Sequence, residues 1–498
     1  MVGKSQVDEC DPVFKYLGNR QRLGVLEYQS RYELAVDARN FSLAKWLAKK
    51  IDQQHVDVAT RWQQAQANPE DFLRAHLRLR GDVTLSEQIA YALERLTYRD
   101  PSIALELWQA ALARHPFSEA QKARTARHIA LWTARDQLPG AYTLLRNLAP
   151  AAQNDEVLRW QARVSLRHAN WQDLLADIAA MTDTERNTEE WRYWRSIALQ
   201  RLGQVIAAKA ELTALSRERS YYGFLAADEL GVDYALSHSD LAADEQQLRT
   251  LEGRPEITRA RELFFVGQDS RGRSEWDAAL RGLTADEKAQ AAILADRWGW
   301  HSRAIAAAAS LGEYDDLSLR YPLPYQQTFK EFSTAASIAP TWAYGIARSE
   351  SLFMRDVRSR AGAIGLMQLM PATGRDVARE IKLPYSGWTT LVDPASNIRL
   401  GTTYLAKMAD RYNGNQVLAT AAYNAGPHRV DAWLPENGTV DARIWIENIP
   451  FNETRKYVKR VLAAQSIFHW RMTGQIRRLS NELLLVSAPR ETLQVASR

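Results

Sequence analysis

From about residue 28 to 235 apolar side chains recur at spacings of three and four, the period of helices with one buried face. RYELAVDARNFSLAKWLAKKI (31–51), PSIALELWQAALARH (101–115) and EEWRYWRSIALQRLGQVIAAKAELTALS (189–216) are the clearest runs. Short breakers separate the helices: RGD at 80–82, HPF at 115–117, LPG at 138–140 and HAN at 168–170. β-branched alternation is almost absent, so the pattern predicts an all-α chain.

An aromatic–alanine helix, a small-residue turn and a second Ala/Leu helix recur every 30–40 residues or so. The clearest unit is Trp191–Ser216, with Trp194, Ala198, Leu199, Gly203, Ala207, Ala210 and Leu212. Its spacing resembles a tetratricopeptide-type hairpin, and predicts an N-terminal α-superhelical solenoid over 1–240. Helical segments over 241–318, including PEITRARELFFVGQDSRGRSEWDAAL and KAQAAILADRWGWHSRAIAAAASLG, predict a small helical linker domain. LRYPLPYQQTF (319–329), with two prolines, marks a boundary. The segment 319–485 then has short loops rich in Gly, Asn and aromatic residues, where sites are usually built. Residues 486–498 are expected to be a flexible tail.

The 498 residues are too many for one core. A hydrophobic fraction of 46% with 25% charged residues is that of an ordinary globular protein. No run of 18 apolar residues suggests an integral membrane segment. MVGKSQVDECDPVF lacks the apolar stretch of a signal peptide, so the chain is either cytoplasmic or without its targeting segment. The single cysteine, Cys10, excludes an internal disulfide and a cysteine-cluster metal site. Net charge is +5, spread along the chain without basic–aromatic interleaving, so no nucleic-acid partner is expected.

In APTWAYGIARSESLFMRD (339–356) a helix should start at Pro340, a favoured first-turn residue. At 100° per residue, Trp342, Ile346 and Phe353 share a face, and Glu350 lies about 40° from Ile346, at that face's margin. Arg348, Ser351 and Arg355 project from the other side. A carboxyl among apolar neighbours has a raised pKa and suits general-acid work. It could equally be a structural glutamate paired with an arginine or a helix end.

The next segments add polar groups on short loops. SRAGAIGLMQLMP (359–371) offers a close-approach loop presenting Gln368, closed by Pro371. Asp393–Pro394 should cap a helix running to Asn413–Gly414. VLATAAYNAGPHRV ends a helix at Gly426–Pro427, with Tyr423 and Asn424 in its last turn, and WIENIPFNETRKYVKRV supplies Glu447 and Tyr457.

Four short pieces in this order, E-S at Glu350–Ser351, G-L-M-Q at Gly365–Gln368, A-Y-N-A-G at Ala422–Gly426 and I-E-N-I-P-F…E-T-R-K-Y-V at Ile446–Val458, resemble the lysozyme-like catalytic domain of soluble lytic transglycosylases. The preceding helical regions resemble the superhelical U-shaped and linker domains of the large periplasmic members. The family often has Gln before the glutamate, where this chain has Ser349. Those large members also carry a longer helical portion and a secretion signal upstream. Either a chain beginning partway in, with Cys10 stranded from an upstream partner, or a naturally shorter protein is therefore expected, and a periplasmic location with it.

The resemblance implies cleavage of the β-1,4 bond between N-acetylmuramic acid and N-acetylglucosamine in peptidoglycan, leaving a 1,6-anhydromuramic end. Glu350 would act first as general acid, then as base toward the sugar's own C6 hydroxyl, while the 2-acetamido oxygen stabilises the cationic centre. Tyr457 would hydrogen-bond Glu350, and Ser359, Gln368, Met370, Tyr423, Asn424 and Glu447 would line the substrate groove. No metal or cofactor is expected. Partners would be peptidoglycan glycan strands and cell-wall synthesis or hydrolysis enzymes. Two alternatives stay open: a goose-type lysozyme-like hydrolase of the same bond, and a non-catalytic helical scaffold that binds peptidoglycan.

Overall fold

The computed structural model describes residues 4, 10–20, 22–79, 81–312 and 315–488. Many of its helices begin where the sequence provides a side-chain acceptor for the first free N–H groups. Asp82 accepts from Leu85 N (2.7 Å), Asp100 from Ile103 N (2.9 Å), and Asn170 caps Trp171–Ala179. The breakers seen in the sequence are thus helix ends, although Arg80 of the first lies outside the described residues.

The chain forms two compact units, Met1–Ser165 and Leu166–Arg498. In the first, successive helices pack on their neighbours, as in a solenoid. Its core is aromatic and small together: Phe41 stacks on Trp62 with centroids 5.0 Å apart, Tyr91 stands edge-on to both, and Ala65, Ala90, Ala104 and Ala111 fill between.

Early in the second unit, after Trp171–Ala179 and Asp183–Arg186, comes the predicted hairpin, Glu189–Arg201 and Val205–Leu215, turned at Gly203. Trp191, Tyr193 and Trp194 are buried, but Ala207 and Ala210 are exposed, and Ala208, Leu212 and Leu215 face inward instead. The packing face of the second helix is therefore rotated from the one the repeat spacing suggested. Five helices between Glu245 and Ser310 follow, around Trp276 and Trp300, with Phe264 stacked on Trp300 at 4.7 Å.

The remaining helices hold the glutamate. Pro340–Ser351 is buried on nearly every side, not on one face. Arg348 and Ser351, expected to project outward, are buried. The Arg348 guanidinium lies 4.0 Å over the Tyr321 ring and its Nε donates to Arg320 O, while Ser351 Oγ donates to Leu366 O at 2.7 Å. The helix also stops at Ser351, because Leu352 and Phe353 take left-handed conformations (φ 50° and 64°). Phe353 still reaches the core, edge-on to Tyr344 and Phe468.

The long helix Asn452–Thr473 packs directly on Pro340–Ser351. The two backbones approach so closely at Gly345 that a Cβ there would lie 2.9 Å from Val461 O. A two-residue antiparallel sheet, Thr439–Val440 with Val486–Ser487, closes the unit. Val486 and Ser487 are thus ordered strand, not tail, and 489–498 lie outside the described residues. Among the described residues no helix is long and apolar enough to cross a membrane.

Gly345→Ala tests the helix contact. In an unconstrained helix that change gains up to about 1 kcal/mol. Here the Cβ meets a backbone carbonyl that no rotamer change can move, so a net loss of about 1–3 kcal/mol is expected by thermal or denaturant unfolding. Gly253→Ala, whose Cβ would find only ordinary contacts at 3.5 Å and beyond, should be neutral or stabilising.

Candidate active site

Glu350 sits in the last turn of Pro340–Ser351, after Tyr344, Ile346 and Ala347, each with no exposed surface. Its carboxylate accepts a hydrogen bond from Tyr457 Oη at 2.7 Å. Burial pushes its pKa up to about 7; the Tyr457 hydrogen bond and the Arg460 charge pull the other way, and Glu453 adds to the rise. At neutral pH the group is therefore close to half protonated, and can deliver a proton and take one back. Burial, reinforced by the Glu350 charge, lifts the Tyr457 and Tyr423 phenols far above their ordinary value, so both remain donors.

The loop after Glu350 is held by its own backbone. Ile364 bridges to both Arg358 and Leu369, and Gly365 is left-handed (φ 85°). A Cβ on Gly365 would fall 2.2 Å from Leu391 O and 2.4 Å from Asn397 Nδ2. Asn397, fully buried, accepts from Met367 N at 2.8 Å and donates to Leu391 O at 2.8 Å. The glycine thus serves a close approach within the fold itself. Gln368 takes φ 47°, and its amide nitrogen donates to Val357 O and Gly365 O.

Tyr423 Oη donates to Met367 O at 2.8 Å, tying the A-Y-N-A-G helix end to the G-L-M-Q loop, and Asn424 Oδ1 accepts from Thr454 Oγ1 at 2.7 Å, tying it to the Tyr457 helix. Ser359 is spent on its own turn, with Oγ accepting from Ala363 N, and Met370 is exposed at the start of Pro371–Glu380. Neither bonds to the other site residues. Glu447 does not line a groove. It is 1% exposed, paired with Lys459 Nζ at 2.8 Å and bonded by Tyr222 Oη, because Tyr221–Leu230 packs against Asn452–Thr473, the helix of Lys459.

One trio among the described residues, His238, Asp240 and Asp316, brings potential metal-ligand atoms within 4.8 Å of one another. Both Asp316 oxygens already accept backbone N–H groups, from Leu319 and Leu241, so its role is structural.

A family model of the transglycosylase SLT domain matches residues 327–446, one of the soluble lytic murein transglycosylase L domain matches 250–317, and one of the soluble lytic transglycosylase helical domain matches 448–476. The chain is 30% identical over 472 residues to the soluble lytic murein transglycosylase of Salmonella typhimurium, covering 94% of this chain and 73% of that protein. The chain belongs to the soluble lytic murein transglycosylase family. Solved structures agree. An inactive Glu-to-Gln mutant of the lytic transglycosylase Slt of Pseudomonas aeruginosa matches with a TM-score of 0.83 and 34% identity, over 97% of this chain and 79% of that one. The 70-kDa soluble lytic transglycosylase of Escherichia coli matches with a TM-score of 0.81 and 28% identity, over 97% and 78%. The family is one of enzymes, and the scaffold alternative is set aside.

Residues that the sequence reading missed in this transglycosylase are those acting through space: Arg460, Glu453, Thr454 and Asn397. Arg460 and Glu453 lie three after and four before Tyr457, a helical spacing that could have flagged them once Tyr457 was suspected.

The raised pKa carries a stability cost of definite sign. In the unfolded chain Glu350 ionises at its ordinary 4.5, in the folded chain at about 7. Above pH 7 the fold therefore bears the full penalty, about 3 kcal/mol, and below pH 4.5 none. Glu350→Gln should raise unfolding stability at pH 8 by up to that amount and leave it unchanged at pH 4.

Proposed function

We propose that this chain cleaves the β-1,4 bond between N-acetylmuramic acid and N-acetylglucosamine in peptidoglycan, with Glu350 as the sole protonating carboxyl and a 1,6-anhydromuramic end as product. The observation that carries this reading is the Glu350–Tyr457 pair: a carboxyl buried enough to hold a proton near neutrality, with one positioned donor steadying its ionised form. A relative described as an inactive Glu-to-Gln mutant supports an essential glutamate.

In the proposed cycle Glu350 protonates the glycosidic oxygen as the bond breaks, and the sugar's 2-acetamido oxygen covers the cationic C1. The ionised Glu350 then removes the proton of the C6 hydroxyl, which closes onto C1. The glutamate is protonated again and no water is consumed. Closing a ring within one bound sugar avoids the entropy of recruiting a nucleophile. Tyr457 stabilises the carboxylate between the two steps. Gln368, Asn424 and Tyr423 are proposed to fix the glycan, with Met370 offering an apolar contact and Ser359 shaping the loop. We place the enzyme in the periplasm, where this substrate lies.

The hydrolase reading has one observation in its favour. Glu453 is close enough to raise the Glu350 pKa, and it is exposed in the first turn of the Tyr457 helix. A water-using glycosidase needs a second carboxylate of this kind. Mass spectrometry of products released from purified peptidoglycan separates the two. The expected result is anhydromuropeptides from wild type and from Glu453→Gln, and none from Glu350→Gln. Reducing ends from wild type, lost in Glu453→Gln, would establish the hydrolase.

Activity should fall about tenfold per pH unit above pH 7, as Glu350 loses its proton. Tyr457→Phe removes a bond that favours the ionised form. It should therefore move that limb to higher pH while lowering the maximal rate.

A further inference from the structure

Within Met1–Ser165, three helices, Val25–Asp37, Gln53–Ala67 and Val83–Thr97, wall a cleft of about 400 Å³. That volume suits one inserted side chain or a small ligand. Val36, Val58 and Trp62 make part of its wall apolar, and the Tyr32 ring stands edge-on to His55 with centroids 5.2 Å apart. Tyr32 is 7% exposed, yet its hydroxyl has no hydrogen-bond partner among the described residues. Burial raises the Tyr32 pKa, so the phenol stays protonated. An unbonded buried hydroxyl is uncommon, and this one belongs to the wall of a cleft. Glu33, Asp37 and Glu87 also line it; all three are exposed, and none forms an ion pair among the described residues. His55 is already engaged by Asp52 at 2.8 Å, and Arg61, whose charge reaches Tyr32, has its Nε on Gln88 Oε1 at 3.0 Å. Asp52 and Asp82 cap the starts of the second and third helices, which weakens any pull on an anion.

We propose that this cleft receives a lysine side chain presented by a basic segment of a partner protein. An ammonium is a compact charge with three donors on a flexible apolar stem. The stem lies along Val36, Val58 and Trp62, and the donors meet Tyr32 Oη and the carboxylates of Glu33 and Glu87. Charge count selects the source of the ammonium. A peptide attached to the glycan carries its free ammonium close to carboxylates of its own, which Glu33, Asp37 and Glu87 would repel. A basic protein segment instead brings further cations for the carboxylates that one ammonium leaves unpaired. The cleft is thus a docking point for a second protein, and its use does not depend on the chemistry at Glu350.

The test is calorimetry on the full chain with the end-blocked dipeptide acetyl-lysyl-lysine amide. Wild type should bind it saturably, and the same dipeptide acetylated on both side chains should not bind. Glu33→Gln and Glu87→Gln should each weaken binding at least fivefold. Glu106→Gln, an exposed acid on Pro101–Leu112, should leave it unchanged and so excludes a general charge effect. Tyr32→Phe deletes an unbonded hydroxyl, so it should unfold no more easily than wild type, yet bind at least threefold more weakly. Release of products from purified peptidoglycan should be the same for wild type, Glu33→Gln and Glu87→Gln. No binding by wild type, full binding by Tyr32→Phe, or an equal loss in Glu106→Gln would overturn the proposal. So would competition by a diaminopimelate-bearing muropeptide as strong as that of the dipeptide, which would assign the cleft to substrate. A wild-type oligomer dispersed by the dipeptide in sedimentation would assign it to a second copy of this chain, and equally overturn the partner.

Discussion

The contact between Pro340–Ser351 and Asn452–Thr473 is what the rest of the site depends on. Only a glycine at 345 lets the Val461 carbonyl come so near, and that approach puts Tyr457 Oη within 2.7 Å of Glu350. Two residues 107 apart in sequence thereby become one hydrogen-bonded pair. The same contact removes water from around the carboxyl, which is why its pKa rises while the tyrosine still holds the ionised form within reach. Neither helix could do this alone. A glutamate on a solvated helix would ionise near its usual value, and one buried without a donor would scarcely ionise at all.

Around this pair the loops are positioned by polar ties that end on backbone. Asn397 fixes the segment from Ile364 to Met367, Tyr423 bonds the carbonyl of Met367, and Asn424 bonds Thr454. The helix of Glu350, the G-L-M-Q loop, the A-Y-N-A-G helix end and the Tyr457 helix form one connected network. Its members rigidify each other, and displacement of one would be felt at the carboxyl.

Most of this framework was legible in the sequence, for identifiable reasons. Helix starts are written as local chemistry, with Asp393 before Pro394 and Asn170 before Trp171, and those caps formed. Glu350 stood out because a charged residue among apolar positions is conspicuous at 3.6-residue period. What could not be read was anything requiring knowledge of a distant neighbour. A wheel gave Arg348 and Ser351 to solvent, because it assumes one buried face, and helices packed on several sides break that assumption. Gln368 was legible as an amide on a glycine-rich loop, but its left-handed backbone and its use as a loop brace were not. Glu447 looked like a site residue through its motif. Its actual partners include Tyr222, 225 positions earlier, and no local pattern records such a pairing.

That buried pairing has an electrostatic consequence for the carboxyl. The start of the Tyr457 helix, N-E-T-R-K-Y-V-K-R, carries four cations within six residues, Arg455, Lys456, Lys459 and Arg460. A cation facing Glu350 would favour its ionised form and cancel the effect of burial. Lys459, two residues after Tyr457, lies about 200° round the helix and there meets Glu447, Glu190 and Tyr222, and Arg455 bonds the Ile449 carbonyl. Of the four, Arg460 is the one left acting appreciably on Glu350, and the exposed Glu453 opposes it. Glu447 is thus a structural partner of Lys459 on the far side of the Tyr457 helix, buried and paired there.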